Sequence, residues 1–227
     1  MSKKIEFISY DKSTEVHYPP IPLSKMVPEW YKQLGNEINH EGLNVPTSKR
    51  CIPLRDYMTG GYVIRNAYET SLRFEPDQDG ILRASNVCPA TDYVSGHPFQ
   101  QAPVLQDGVK KHYFKVANSW KIVTPPGYSC HFYQPFYFFN QNYRMLPGIV
   151  DTDKHDDAVN LVGIGLKNNF TIKPGEPLVV VYPFKRDDWE METSYDNYQG
   201  KNSYKYYVKK AWHGTYSRLF HSRKKFR

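Results

Sequence analysis

Two carboxylates and an imidazole follow a short apolar stretch and are the side chains best placed to do chemistry. The apolar stretch Gly148–Val150 predicts a strand, and Asp151, Asp153 and His155 come directly after it. A carboxylate fixed at the end of a rigid strand can orient or deprotonate a water molecule as a general base. If the protein is an enzyme, these three residues are its candidate catalytic groups.

The same segment offers a second chemistry, a metal site. His155 and Asp157 match the short half of a site with two histidines and one carboxylate, and His213 is the candidate distal ligand. Such a site binds iron while leaving positions open for substrate and oxygen. In that reading Arg218 would anchor an oxoacid. The simpler interpretation is a polar loop without metal, and we expect no cofactor.

An aromatic run between residues 132 and 139 is open to two interpretations. Six of these eight residues are Phe or Tyr. Aromatic rings can stack on nucleic-acid bases. They are equally typical of a strand that places one aromatic face at a subunit or domain interface, and we favour this second interpretation.

Positive charge is concentrated at the end of the sequence. The net charge is +7, and residues 201–227 contain nine basic residues and no acidic one, which leaves 21 basic and 23 acidic residues elsewhere. Such a segment suits an acidic protein surface or nucleic acid. The candidate partner-binding residues in it are Tyr204, Trp212, Arg223, Lys224, Lys225 and Arg227.

The elements that must position these residues are mainly strands. The chain has 19 Tyr, 12 Phe and 4 Trp, which favour strands, together with 17 Pro and 14 Gly, which favour turns. Strands are predicted at residues 4–10, 62–64, 71–74, 120–123, 128–139, 148–150, 159–166 and 178–182.

Two helices are predicted beside these strands. Ser24 can cap a short helix that Gly35 ends, and residues 36–50 are expected to form a loop. Apolar residues at helical spacing predict an amphipathic helix over residues 202–221. We therefore expect a single β-rich domain over residues 1–200 and a basic helical C-terminal extension over residues 201–227.

Part of the chain resembles the dUTPase and dCTP deaminase family. The resemblance rests on residues 124–128 (Thr-Pro-Pro-Gly-Tyr), 148–153 (Gly-Ile-Val-Asp-Thr-Asp) and 172–178 (Ile-Lys-Pro-Gly-Glu-Pro-Leu), within residues 124–184. It implies a β-clip barrel, with Asp151 matching the aspartate that orients the attacking water. The fold class predicted is mainly β, a β-clip or jelly-roll-like barrel or sandwich.

The chain departs from that family where the nucleotide would bind. The family's Arg-Ser phosphate motif falls on residues 133–135, which are uncharged. Its stacking tyrosine falls on His155, and its Arg-Gly falls on Asp156 and Asp157. A triphosphate would be repelled by this many carboxylates unless a metal intervened. A degenerate scaffold without catalysis is therefore expected.

The chain also resembles a family of marine bacteriophage proteins. The shared segments are residues 19–31, Trp120 with the Pro-Pro-Gly-Tyr at 125–128, and residues 183–189. The resemblance implies a viral source and no particular activity. We expect a non-enzymatic phage accessory or virion-associated structural protein that acts through protein–protein contacts. The alternative is a nucleotide-binding or nucleotide-processing enzyme.

The cysteines and the apolar runs bear on the compartment. Cys51, Cys88 and Cys130 are scattered and form no Cys-x-x-Cys pair, which favours buried thiols in a reducing compartment. No apolar run indicates a signal peptide or a membrane span. The expected location is the virion or the host cytoplasm, with phage or host proteins, or a second copy, as partners and no membrane.

Overall fold

The computed structural model describes residues 3–76, 78, 82–90, 92–97, 112–195 and 215–227. The helices are α1 (Lys12–His17), α2 (Glu29–Gln33), α3 (Ile52–Thr59) and α4 (Thr215–Leu219), with 3-10 turns at Leu23–Lys25 and Ser48–Arg50. The strands are β1 (Glu6–Ser9), β2 (Ile21–Pro22), β3 (Glu37–His40), β4 (Leu43–Pro46), β5 (Tyr62–Arg65), β6 (Thr70–Pro76), β7 (Leu82–Val87), β8 (Val94–Gly96), β9 (Tyr113–Val116), β10 (Trp120–Val123), β11 (Tyr128–Tyr133), β12 (Tyr143–Met145), β13 (Gly148–Val150), β14 (Leu161–Gly165), β15 (Asn169–Ile172) and β16 (Pro177–Lys185).

These residues cluster into two compact units. Unit 1 comprises Met1–Leu23 and Gly61–Arg186, and unit 2 comprises Ser24–Gly60 and Asp187–Arg227. The boundary predicted between residues 200 and 201 lies outside the described residues and stays a prediction.

Unit 1 consists of antiparallel sheets. Their strand orders are β13-β11-β16-β5-β2, β12-β14-β9-β8, β15-β6-β7 and β1-β10. The mainly β fold predicted from composition and pattern is confirmed. As far as the described strands go, these sheets do not close into a barrel.

The core of unit 1 is apolar and aromatic. The centroid of the Phe170 ring lies 5.7 Å from that of Phe114 and 6.0 Å from that of Tyr143. Residues 178–181 of the central strand β16 (Leu-Val-Val-Val) are all at most 1 % exposed. A strand buried on both faces has a continuous apolar run rather than an alternating one, as this segment does.

Unit 2 contains the hairpin β3-β4, in which Glu37 pairs with Pro46 and His40 with Leu43. The expectation of a loop over residues 36–50 was therefore wrong. Glu41 and Gly42 form the turn with φ of 52° and 81°. Two consecutive positive φ angles are the geometry that closes a tight two-residue hairpin.

The helices are shorter than predicted. The helix expected from Ser24 is α2, which begins only at Glu29. α1 was not predicted, although its cap is visible in the sequence: the Asp11 carboxylate accepts hydrogen bonds from the amides of Ser13 and Thr14. Of the helix predicted over residues 202–221, the described part is α4, and residues 202–214 lie outside the described residues.

Candidate functional site

Three chain segments meet at one end of the five-stranded sheet. β11 pairs with β13 on one side, so that Cys130 lies opposite Val150, and with β16 on the other, so that Tyr128 lies opposite Lys185. Antiparallel pairing therefore brings the start of β11 next to the ends of β13 and β16. Asp151, Asp153 and Arg186 come together by this register.

Buried hydroxyl groups hold the turn after β13 against the turn before β11. Thr152 is 2 % exposed, and its hydroxyl lies 2.8 Å from that of Thr124. The same Thr152 hydroxyl donates to the Cys130 sulfur at 3.3 Å. Burial raises the pKa of the Cys130 thiol to about 11, so this cysteine is a protonated core residue at neutral pH.

Arg186 joins both carboxylates. Its guanidinium donates two hydrogen bonds to Asp153, at 2.8 and 2.5 Å, and lies 3.2 Å from an Asp151 oxygen. The same group donates to the Tyr128 carbonyl and the Ser129 hydroxyl. A two-point contact between guanidinium and carboxylate fixes orientation as well as distance.

The remaining hydrogen bonds to the carboxylates come from the sheet itself. The Gly127 amide donates to Asp153 at 2.8 Å, and the Ser129 hydroxyl donates to Asp151 at 2.6 Å. The Asp153 side chain is 5 % exposed, whereas that of Asp151 is 53 % exposed. Asp153 is thus the inner member of the cluster, and Asp151 is the one accessible to solvent.

These contacts favour the charged form of both acids. The hydrogen bonds from Arg186 hold the pKa of Asp153 at about 2, below its ordinary value of 3.8, with a further contribution from the Gly127 amide. The Ser129 hydroxyl, and then the Arg186 charge, lower the pKa of Asp151. A general base works best with a pKa near the operating pH. The arrangement is suited to bracing the turn and poorly suited to abstracting a proton.

The candidate metal ligands were placed as follows. The His155 ring nitrogen Nδ1 lies 2.9 Å from the carbonyl oxygen of Asp157, and the Asp157 carboxylate accepts from the Ala158 amide. Both residues are exposed. Within the described residues, no group of three or more His, Cys, Asp or Glu side chains could hold a metal ion. His213 lies outside the described residues, so the three-ligand prediction itself stays a prediction.

The aromatic run does not continue as a strand. β11 ends at Tyr133, and the Gln134 side chain then donates to Gln141 and accepts from the Met145 amide, which closes a loop. Phe136 and Phe139 in this loop are 68 % and 59 % exposed.

The rings of Phe136, Tyr137 and Phe139 pack edge to face, with centroids 5.1 to 6.0 Å apart. We call these three residues the aromatic patch. A cavity of about 180 Å³ beside it is lined by Tyr133 and Met145 among others.

The cationic residues predicted to bind partners lie in unit 2. Lys224 donates to the Asp56 carboxylate at 2.7 Å, and His221 contacts the same oxygen at 2.9 Å. Arg223, Lys224, Lys225 and Arg227 are exposed. Tyr204 and Trp212 lie outside the described residues.

Arg186 is the site residue that sequence reasoning missed. It lies 33 positions from Asp153 in the chain, and no local motif connects the two. A signal was present: Arg186 directly follows a strong apolar strand, and an antiparallel partner of that strand would have placed it beside the start of β11. Finding it required the pairing of β11 with β16 rather than the sequence of either.

Comparison with known proteins gives one solved structure with a partial likeness. The native dUTPase of EIAV matches with a TM-score of 0.34 and 10 % sequence identity, over 62 % of this chain and 87 % of the dUTPase chain. No protein-family model matches the sequence. No curated protein matches it either.

Across the described part of the chain, no helix is long and apolar enough to cross a membrane.

Proposed function

We propose that this is a non-enzymatic protein that acts through protein–protein contacts. The observation that carries the proposal is the aromatic patch, in which Phe136 and Phe139 expose most of their surface to solvent. Clustered exposed aromatic rings are typical of protein interaction sites, where they supply most of the binding energy. Ile149, 65 % exposed on the edge strand β13, adds a second apolar side chain at the rim of unit 1.

In its finer form the proposal places the protein in a bacteriophage, as an accessory or virion-associated protein. This part rests on the sequence resemblance in residues 19–31 and 183–189. Detection of the chain in purified particles of its source phage, by quantitative mass spectrometry, tests it. Absence from both the particles and the infected cell contradicts a viral role.

The contact role is tested by removing the patch. Phe136→Ser together with Phe139→Ser should abolish chemical cross-links from residues 134–142 to a partner or to a second copy, and should lower any self-association seen by sedimentation velocity. Val16→Ser together with Val87→Ser is the matched control, because these side chains in unit 1 are 59 % and 76 % exposed. Equal cross-linking by wild type and patch variant would contradict the proposal.

The second candidate function is a nucleotide enzyme on a dUTPase-like scaffold. The ion pairs of Asp151 and Asp153 with Arg186 favour a structural role for both acids. We therefore expect no hydrolysis or deamination of dUTP or dCTP in the presence of magnesium. Turnover that disappears in Asp151→Asn while the fold is retained would replace the contact proposal by this enzyme.

A further inference from the structure

Unit 2 contains a cleft of about 770 Å³ whose lining is dominated by cations. We call it the C-terminal cleft. Its charged and titratable cationic lining residues are Arg55, His221, Arg223, Lys224, Lys225 and Arg227. The cleft thus joins residues from α3 with residues at the other end of the sequence.

One carboxylate, Asp56, is present among the described lining residues, and it is already paired. Its side chain is 20 % exposed and contacts Lys224 and His221, which is itself 8 % exposed. Burial raises the pKa of Asp56, but the hydrogen bonds from Lys224 and His221 outweigh burial and hold it below its ordinary value. Asp56 is therefore a charged anchor that fixes the basic segment against α3.

The charge that remains is strongly positive. Asp56 offsets one of the five Arg and Lys charges, so the cleft keeps an excess of positive charge even with neutral His221. Like charges held this close repel one another, and a multiply charged anion would relieve that repulsion.

The side chains favour phosphate over isolated carboxylate groups. Three of the five cations are arginines, whose guanidinium groups match phosphate oxygens at two points. The hydroxyl of Ser24 also lines the cleft and suits a phosphate oxygen. A phosphate chain carries about one charge or more per phosphate, which provides several charges within a cleft of this size.

We propose that the C-terminal cleft binds a polyanion made of linked phosphates, held by Arg55, Arg223 and Lys225. Two sources share this chemistry: a free polyphosphate or nucleotide tail, and the backbone of a nucleic acid. The site is independent of the aromatic patch, which lies in the other unit, so either proposal can fail alone.

The test measures binding of inorganic tripolyphosphate by calorimetry and of a fluorescent single-stranded oligo(dT) by anisotropy, using the full chain. Arg223→Gln with Lys225→Gln should weaken binding about tenfold or more and reduce the slope of log K against log salt by about 2, as expected for two lost phosphate contacts. Lys167→Gln with Lys173→Gln, which removes two exposed lysines from unit 1, should stay within about twofold of wild type, as is usual away from a contact.

A charge-preserving variant separates the binding role from a folding role. Arg223→Lys with Lys225→Arg keeps the charge and should retain most of the affinity, with circular dichroism unchanged in every variant. Binding of tripolyphosphate that displaces oligo(dT) identifies a compact phosphate chain as sufficient. Binding of oligo(dT) alone identifies a nucleic-acid backbone.

Three results would overturn the proposal. The first is no binding of either phosphate probe, and the second is equal loss in the cleft and control variants. The third is a poly-glutamate peptide that binds as tightly as the phosphate probes, since this would make the cleft a site for acidic protein.

Discussion

The Arg186 guanidinium determines how the two carboxylates beside it behave. Because it binds Asp153 at two points and Asp151 at one, both acids are held ionised, and the turn after β13 is tied to the end of β16. A catalytic aspartate would need an accessible lone pair and a pKa closer to neutral. At the scale of single residues, the cluster therefore has the properties of a brace.

Acid should weaken this brace in a defined pH range. The pKa of Asp153 is about 2 in the folded protein and 3.8 ordinarily. A depressed folded pKa contributes stability that is present above the unfolded value and is lost as pH falls through the folded value. Between about pH 4 and pH 2, wild type should therefore lose more stability than Asp153→Asn, as measured by urea unfolding.

The control for this experiment is Asp188→Asn, which removes an exposed carboxylate from the chain. It should follow the wild-type pH profile. Identical profiles for wild type and Asp153→Asn would show that the ion pair with Arg186 does not stabilise the fold.

The strands that carry the cluster differ in how deeply they are buried. Val179 on the central strand β16 is 1 % exposed, whereas Val150 on the edge strand β13 is half-buried. The sequence predicted that both would be core residues. Alternation alone did not distinguish a central strand from an edge strand, since that depends on which strands pair on either side.

Truncation of these two valines should have unequal effects. Val179→Ala should lower the free energy of unfolding by about 2–3 kcal/mol, through lost burial plus a residual cavity. Val150→Ala should cost less than about 1.5 kcal/mol, because the site already contacts solvent. Chemical denaturation of the two variants measures both values, and equal losses would contradict the assigned strand positions.

Two glycines with similar backbone angles give a second comparison between elements. Gly61 has φ of 87°, and an added Cβ there would lie 2.8 Å from the carbonyl oxygen of Val181. Gly127 has φ of 83°, and an added Cβ would meet nothing within 4 Å. Both positions disfavour a side chain through the backbone angle, but only Gly61 also has a close neighbour.

Gly127→Ala should therefore cost about 1–2 kcal/mol, the usual penalty for the left-handed conformation. Gly61→Ala should cost clearly more, because the start of β5 would have to move away from β16. Thermal unfolding of the two variants tests this ordering. The reverse ordering would mean that the turn before β5 adapts freely.

At the scale of the whole molecule, the chain builds each unit from two separated stretches. The sheets of unit 1 lie within residues 3–23 and 61–186, and residues 222–227 belong to unit 2. Deletion of residues 222–227 should leave the near-ultraviolet circular dichroism of the unit 1 aromatics unchanged. Loss of that signal would show that unit 1 depends on the basic segment.

The same deletion should weaken association with a second copy or an acidic partner. Four cations are removed, and their effect should be larger at low salt, since the screening length falls from about 10 Å at 0.1 M to about 3 Å at 1 M. Sedimentation velocity at both salt concentrations measures the change. Association that is unchanged at both concentrations would make the segment a solubilising one.

The fold class followed from features that act over a few residues. Apolar runs, aromatic content and turns such as Pro125 to Gly127 are sufficient to predict strands, because strand formation depends on local pattern and turn chemistry. The exceptions were local as well: the hairpin β3-β4 is too polar and exposed to show a buried face. Its existence depends on the turn at Glu41 and Gly42 rather than on burial.

The sequence by itself therefore determined that this is a mainly β protein with carboxylates at the end of a strand and a basic C-terminal segment. Only the tertiary structure decided which charges meet. Asp153 pairs with Arg186, 33 positions away, and Asp56 pairs with His221, 165 positions away. The physical reason is that strand register and chain reversal bring distant residues together, and neither is encoded by the spacing of the residues that finally make contact.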